Sequence, residues 1–178
     1  MARTARARRY AQAIFQIASE RNELDRWLDD LAFISQALRA PDFMEMLQAR
    51  RLPIDEKVRL ANVALLPTTP MARNLVFLLA QKRQVGIIDD VLDAYRELYN
   101  EARGIAEVEV STAIALNDAE LDQVRTGLAA ATGKQIILRS NVAPELLGGI
   151  LVRIGDRIID GSIRQRLALM RQTLAGVS

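Results

Sequence analysis

Side chains able to do chemistry near neutral pH are scarce in this chain. Its 178 residues include no histidine and no cysteine, which removes the commonest general base, the thiolate nucleophile and the cysteine-type zinc sites. Carboxylates remain, paired at Asp29-Asp30 and Asp89-Asp90. Acid–base or metal chemistry needs two such groups to converge on one point. Neighbours on a helix instead project about 100° apart, so these pairs read as solvated faces or as first-turn charges that complement a helix dipole. The glycines at 148, 149, 155 and 161 match neither GxxxxGK[ST] nor GxGxxG and are expected to make turns and a bulge. The sequence therefore offers no catalytic residue, no cofactor-binding residue and no metal ligand. An enzyme built on carboxylates would need a concave pocket of converging acids, which the spacing does not provide.

The elements around those glycines are the most sharply drawn in the chain. Ile150, Val152 and Ile154 alternate with Leu151 and Arg153, the period of a strand with unlike faces. Gly155-Asp156 supplies a two-residue hairpin turn, and Arg157-Ile158-Ile159 returns. Asp160-Gly161-Ser162 stops the strand, and Ser162 with Gln165 has capping-box spacing. The helix that follows carries an apolar stripe of Leu167, Met170 and Leu174 and leaves Arg164, Arg166 and Arg171 outside it.

This segment resembles the signature of the delta subunit family of rotary ATP synthases, whose mitochondrial counterpart is the oligomycin-sensitivity-conferring protein. The resemblance rests on Gly148-Gly149, Gly155-Asp156, Ile159-Asp160-Gly161-Ser162, Arg164, Arg166 and Leu167. Near the start, Arg9-Tyr10-Ala11-Gln12-Ala13-Ile14-Phe15 and Ala18 look like the family's opening helix. The resemblance implies a non-catalytic stator connector. Its helical half would dock the N-terminal helix of one alpha subunit of the catalytic head, on the first and fifth helices. Tyr10, Ala13, Ile14, Asn74, Leu75, Leu78 and Leu79 are the residues expected there. The C-terminal half would hold the b subunits of the peripheral stalk, with Arg153, Arg157, Arg164 and Arg166 as the expected contacts. One copy per complex would sit peripherally at the cytoplasmic face of the inner membrane, with no direct membrane insertion and no nucleic acid bound.

Stepping outward along the chain, helical periodicity holds to about Gly104. Six helices are expected: Thr4 to Glu20, Glu23 to Arg39, a short one opened by Pro41, Ile54 to Leu65, one capped by Thr69 with Pro70 at its first position and ending near Arg83, and one that follows Gly86 and runs from Ile87 to Arg103. Connections this short imply antiparallel neighbours, hence a six-helix bundle. Within the fifth helix, Leu75 to Ala80 is apolar all round and must be covered on every side, by neighbours or by a partner helix. Trp27 is expected as a core anchor beside Leu24, Leu28 and Leu31.

The period changes at Ala106. Val108, Val110, Thr112, Ile114 and Leu116 alternate with Glu107, Glu109 and Ser111, a half-buried strand. Asn117 with Glu120 caps a helix that Gly133 ends, Lys134 to Arg139 forms a strand, and 141–147 is expected to be irregular. The fold class is thus α+β in two domains: a bundle at 1–104 and a small α/β domain at 105–178, with a short sheet and two helices.

Charge narrows the partners. Residues 1–83 hold 14 basic and 9 acidic side chains, 84–133 hold 3 and 10, and 134–178 hold 7 and 3. Two basic ends around an acidic middle favour oriented contacts with charged partners over one continuous polyanion groove. The arginine-rich start and a pI near 9.3 motivate the rival reading, a basic nucleic-acid-associated helical protein, against which stand few aromatics and no recognition motif. The opening MARTARARR has the bias of an organellar targeting peptide. Its amphipathic pattern runs on through Tyr10, Ile14 and Ile17, so it is expected to be the basic start of a mature helix. No run of 18 apolar residues is present to span a bilayer.

Overall fold

The computed structural model describes residues 2–49, 51–155, 157–167 and 170, apart from the side chains of Ala2, Arg3 and Ile54. Six α-helices precede the first strand: α1 (Ala2–Glu20), α2 (Leu24–Leu38), α3 (Pro41–Gln48), α4 (Ile54–Ala64), α5 (Pro70–Gln81) and α6 (Ile88–Arg103). A 3-10 turn at Val85–Ile87 joins α5 to α6. The chain divides into two compact units, Met1–Tyr99 and Asn100–Ser178, so the last turn of α6 belongs with the second.

In the first unit the apolar residues of all six helices feed one cluster. Helix α1 buries Ala7, Ala11, Ile14 and Ala18, which recur at three- and four-residue spacing along one face. Trp27, Leu31, Ile34 and Leu38 do the same on α2, and Ile88, Val91, Leu92 and Tyr95 on α6. Polar ties fix how these helices meet. The Tyr95 hydroxyl donates to the Leu24 carbonyl at 3.0 Å, Tyr99 donates to the Asp25 carboxylate, and Ser35 donates to Asp89.

Asp30 departs from the expectation of a solvated face. It is 4% exposed, and its Oδ2 accepts from the Thr69 backbone N at 3.0 Å and from Thr69 Oγ1 at 2.6 Å. Thr69 is itself the N-cap of α5, its side chain accepting from Ala72 N at 3.3 Å. A buried carboxylate on α2 therefore fixes where α5 begins. Helix α5 ends at Gln81 rather than Arg83. Arg83 takes a left-handed φ of 56°, and Gln84 N reaches back to the Leu79 carbonyl at 2.7 Å, a Schellman-type closure.

The second unit is a four-stranded sheet in the order β2-β1-β3-β4, from β1 (Ile105–Thr112), β2 (Gln135–Val142), β3 (Ile150–Ile154) and β4 (Arg157–Asp160). Strands β1 and β2 run parallel, joined through α7 (Asp118–Thr132); β1 pairs antiparallel with β3, and β3 with β4 as a hairpin. Ala106, Val108 and Val110 face α7 together with Ile136 and Val152, under Val124 and Leu128. Asn117 and Glu120 form both halves of a capping box at 2.9 Å each, and Gly133 closes α7.

Two strand boundaries differ from expectation. Strand β1 stops at Thr112, whose hydroxyl donates to the Ile114 carbonyl at 2.7 Å and turns the chain; Ile114 is left 75% exposed. Strand β2 runs on to Val142, because Ser111 and Thr112 pair with Asn141 and Val142 and a parallel ladder accepts polar residues that carry no strand pattern of their own. The remainder of the stretch expected as irregular contains a 3-10 turn at Pro144–Leu146.

The glycine signature is a close backbone approach. Gly149 has φ 82°, and a Cβ there would stand 2.5 Å from the Gly161 carbonyl oxygen and 2.9 Å from Ser162 Cα. Only glycine satisfies both conditions. The hairpin turn begins at Gly155 with φ 55°, while Asp156 lies outside the described residues. Residues 163–167 are helical, and Gln165 N donates to Ser162 Oγ at 3.1 Å. The reciprocal half of that cap goes elsewhere: Ser162 N donates to Asp160 Oδ1 at 2.9 Å. Leu167 and Met170 are exposed; Arg171 and Leu174 lie outside the described residues.

Candidate functional site

The first unit carries a groove of about 390 Å3 lined by Arg6, Arg9, Tyr10 and Ala13 of α1 and by Lys82 and Gln84 just past α5. Helix α1 positions its share by register. With Ala7, Ala11, Ile14 and Ala18 turned into the core, the positions at 6, 9, 10 and 13 fall together on a neighbouring face. Tyr10 is half-buried there and Ala13 is exposed. Arg8 is directed elsewhere and meets Glu97 of α6 at 3.7 Å.

Helix α5 is not covered on every side. Leu75, Val76, Leu79 and Ala80 are buried and Phe77 is partly so, but Leu78 is 41% exposed and Asn74 is exposed with it. Asn74, Leu78 and Lys82 follow at four-residue spacing, so they form one stripe that runs into the groove at Lys82. An otherwise apolar helix thus keeps a single open line.

The seven residues expected to receive a helix therefore separate into two sets. Tyr10 and Ala13 line the groove, and Asn74 and Leu78 present the stripe on α5. Ile14, Leu75 and Leu79 are 4%, 8% and 0% exposed; they belong to the core and shape the surface from behind. Their burial follows from spacing, since Ile14 shares the face of Ala7, Ala11 and Ala18, and Leu75 and Leu79 share that of Ala72 and Val76. The sequence reading missed Arg6, Arg9, Lys82 and Gln84. For Arg6 and Arg9 the available signal was their place four residues before Tyr10 and Ala13, on one face.

In the second unit Arg153, Arg157, Arg164 and Arg166 are all exposed, but they do not form one patch. The hairpin register sets Arg153 across from Ile158 and Arg157 across from Ile154, so the two project from opposite faces of the sheet. Arg153 borders a depression of about 350 Å3 that also includes Glu107, Glu109 and Arg139, with Arg139 and Glu107 paired at 3.2 Å. Hydrogen bonds from Ser162, side chain and backbone, hold the Asp160 carboxyl below the usual carboxylate range, with a smaller contribution from Arg164. Ile158 and Ile159 lie 56% and 57% exposed on the edge strand beside these charges.

Among the described residues no group of three or more histidine, cysteine, aspartate or glutamate side chains could hold a metal ion, and no helix is long and apolar enough to cross a membrane. The surfaces present contact area and charge.

The family model described as "ATP synthase delta (OSCP) subunit" matches residues 7–174. The chain belongs to that family. Among curated relatives, "ATP synthase subunit delta" of Rubrobacter xylanophilus is 36% identical over 167 residues, covering 93% of each chain. The protein of the same name from Dehalococcoides mccartyi is 34% identical over 173 residues, covering 95% of this chain and 93% of its own. A chain in the cryo-EM structure of the Toxoplasma gondii mitochondrial ATP synthase hexamer superposes with a TM-score of 0.72 at 18% identity, covering 95% of this chain and 97% of that one. That likeness establishes the fold of helices followed by a small sheet. Delta subunits are structural rather than catalytic.

Proposed function

We propose that this chain is the stator connector of an F-type ATP synthase, and that it resists rotor torque by gripping two partners. Residues 1–104, taken as a six-helix bundle, dock the N-terminal helix of one alpha subunit of the catalytic head. Residues 105–178 hold the b subunits of the peripheral stalk. The assembly stands at the cytoplasmic face of the membrane with one copy of this chain, and the rotor's proton-driven motion does chemistry only in the head.

The observation that carries this reading is the open line on α5, continuous at Lys82 with the groove beside Ala13. Leu78, with polar Asn74 and Lys82 on either side of it, leads into a concavity lined by Tyr10 and Ala13, a surface that an amphipathic helix could cover. A connector that must hold the head still needs tight association, on the order of −12 kcal/mol for nanomolar binding.

The test is Ala13→Trp. Ala13 is exposed, so the indole is tolerated in the free chain and fills the groove instead. Titration with a synthetic peptide of the alpha subunit's N-terminal helix should show a loss of affinity of about a hundredfold, with unchanged circular dichroism. Undiminished binding would remove this face from the docking interface.

A further inference from the structure

We infer that the groove selects its helix by charge: the occupant is an amphipathic helix whose polar flank carries carboxylates, seated against Arg9 and Lys82. This rests on the docking reading above and adds what that helix must look like.

Of the side chains lining the groove, three are cationic and none is acidic. Arg9 and Lys82 have no ion-pair partner among the described residues, whereas Arg8, one position away, is committed to Glu97. Lys82 stands at the C-terminus of α5, where the helix dipole offsets part of its charge but cannot cancel it. Each cation also lies one helical turn from an apolar or small position on its own helix: Arg9 from Ala13, Lys82 from Leu78. A helix that lays its apolar stripe on Ala13 and Leu78 would therefore bring its flank within reach of both cations. An uncharged flank would leave two cations partly desolvated without a partner, which is unfavourable. A basic flank would be repelled.

The groove is unlike a polyanion channel. Its lining is six residues, of which three are cations, and Tyr10 is half-buried rather than projecting as a stacking platform. The short reach of the charge fits one or two carboxylates, not a run of phosphates.

The experiment uses the full chain and the alpha subunit's N-terminal peptide in two forms, native and with every Asp and Glu changed to Asn and Gln. Neutralising the peptide should weaken binding roughly tenfold at about 50 mM salt and less than about twofold at about 500 mM, since exposed pairs are screened. The chain variant Arg9→Glu/Lys82→Glu should lose a similar factor against the native peptide. It should regain that factor against a peptide in which the carboxylates are replaced by lysines. Equal binding of native and neutralised peptides would overturn the charge inference while leaving docking intact, as would a native peptide sequence without carboxylates. Failure of every peptide to bind would overturn both. A single-stranded RNA of matched charge binding as tightly as the native peptide would also overturn the inference, in favour of a nucleic-acid groove.

Discussion

In the first unit the buried cluster draws on every helix from Ala7 to Tyr95, and its largest members include Tyr95, Leu31, Ile34, Leu47, Leu65 and Leu79, all below 2% exposed. In the second unit the cluster among the described residues is five, Ala106, Val108, Val110, Ile136 and Val152, and α7 contributes none that is fully buried. Each fully buried aliphatic side chain is worth about 1.5–3 kcal/mol, so among the described residues the first cluster contributes several times what the second does. That division is one of packing and not of exposure: Leu147, Ile158, Ile159 and Leu167 in the second unit are each more than half exposed, and so are Val63 and Leu66 in the first. The lesson is that two units of similar apolar exposure can differ in depth of packing, one drawing its cluster from six helices and the other from three strands among the described residues.

The largest effect should come from confusing seat with support. Leu79 is fully buried beneath the stripe that Leu78 presents. Leu79→Ala should destabilise the first unit by about 2–5 kcal/mol through lost burial and a residual cavity, visible as a lower midpoint in urea. Leu78→Ala should cost less than about 1 kcal/mol yet weaken peptide binding. If both variants lost stability equally, the stripe would be part of the core and the distinction between the two units would narrow.

Next in size is Gly149→Ala. A methyl group there would meet the Gly161 carbonyl at 2.5 Å in a backbone with φ 82°, a combination expected to cost about 2–3 kcal/mol. In a unit with so small a core this should unfold the sheet while the helices of the first unit persist. Hydrogen exchange resolved by segment would show lost protection in 105–160 and retained protection in α1, α2 and α6. Loss in both units together would mean that they fold as one.

Most of the architecture was legible because it depends on local chemistry. Thr69-Pro70, Asn117 with Glu120, and Gly155 state their caps and turns in a few residues, and the alternation of Val108 and Val110 states a buried face. What escaped depended on partners distant in sequence. Asp30 looks solvated until Thr69, 39 residues on, is brought to it. The end of β2 is polar and joins the sheet because β1 lies alongside. The open surface beside α1 and α5 was legible as two helices and, of the seven residues expected there, as Tyr10, Ala13, Asn74 and Leu78. Ile14, Leu75 and Leu79 are more apolar than Arg9 and Lys82, yet a one-position change of angle on a helix decides which of them reaches the outside.

The smallest effect concerns how firmly the first core excludes water. Burial pushes the Tyr95 phenol above the usual tyrosine range, with Asp25 and Tyr99 adding to it, while the hydroxyl keeps its bond to the Leu24 carbonyl. The folded state therefore favours the neutral phenol. Its contribution is fully present below about pH 10, where an unfolded tyrosine ionises, and is lost progressively as pH rises toward the higher folded value. Tyr95→Phe should lower stability by about 1 kcal/mol at pH 8 through loss of that hydrogen bond. It should also remove part of the alkaline decline, so that the variant and the parent chain converge as urea midpoints are followed from pH 8 to pH 11. Parallel curves would mean that Tyr95 ionises as readily folded as unfolded. A core that admits a phenolate would not be the closely packed one that separates the first unit from the second.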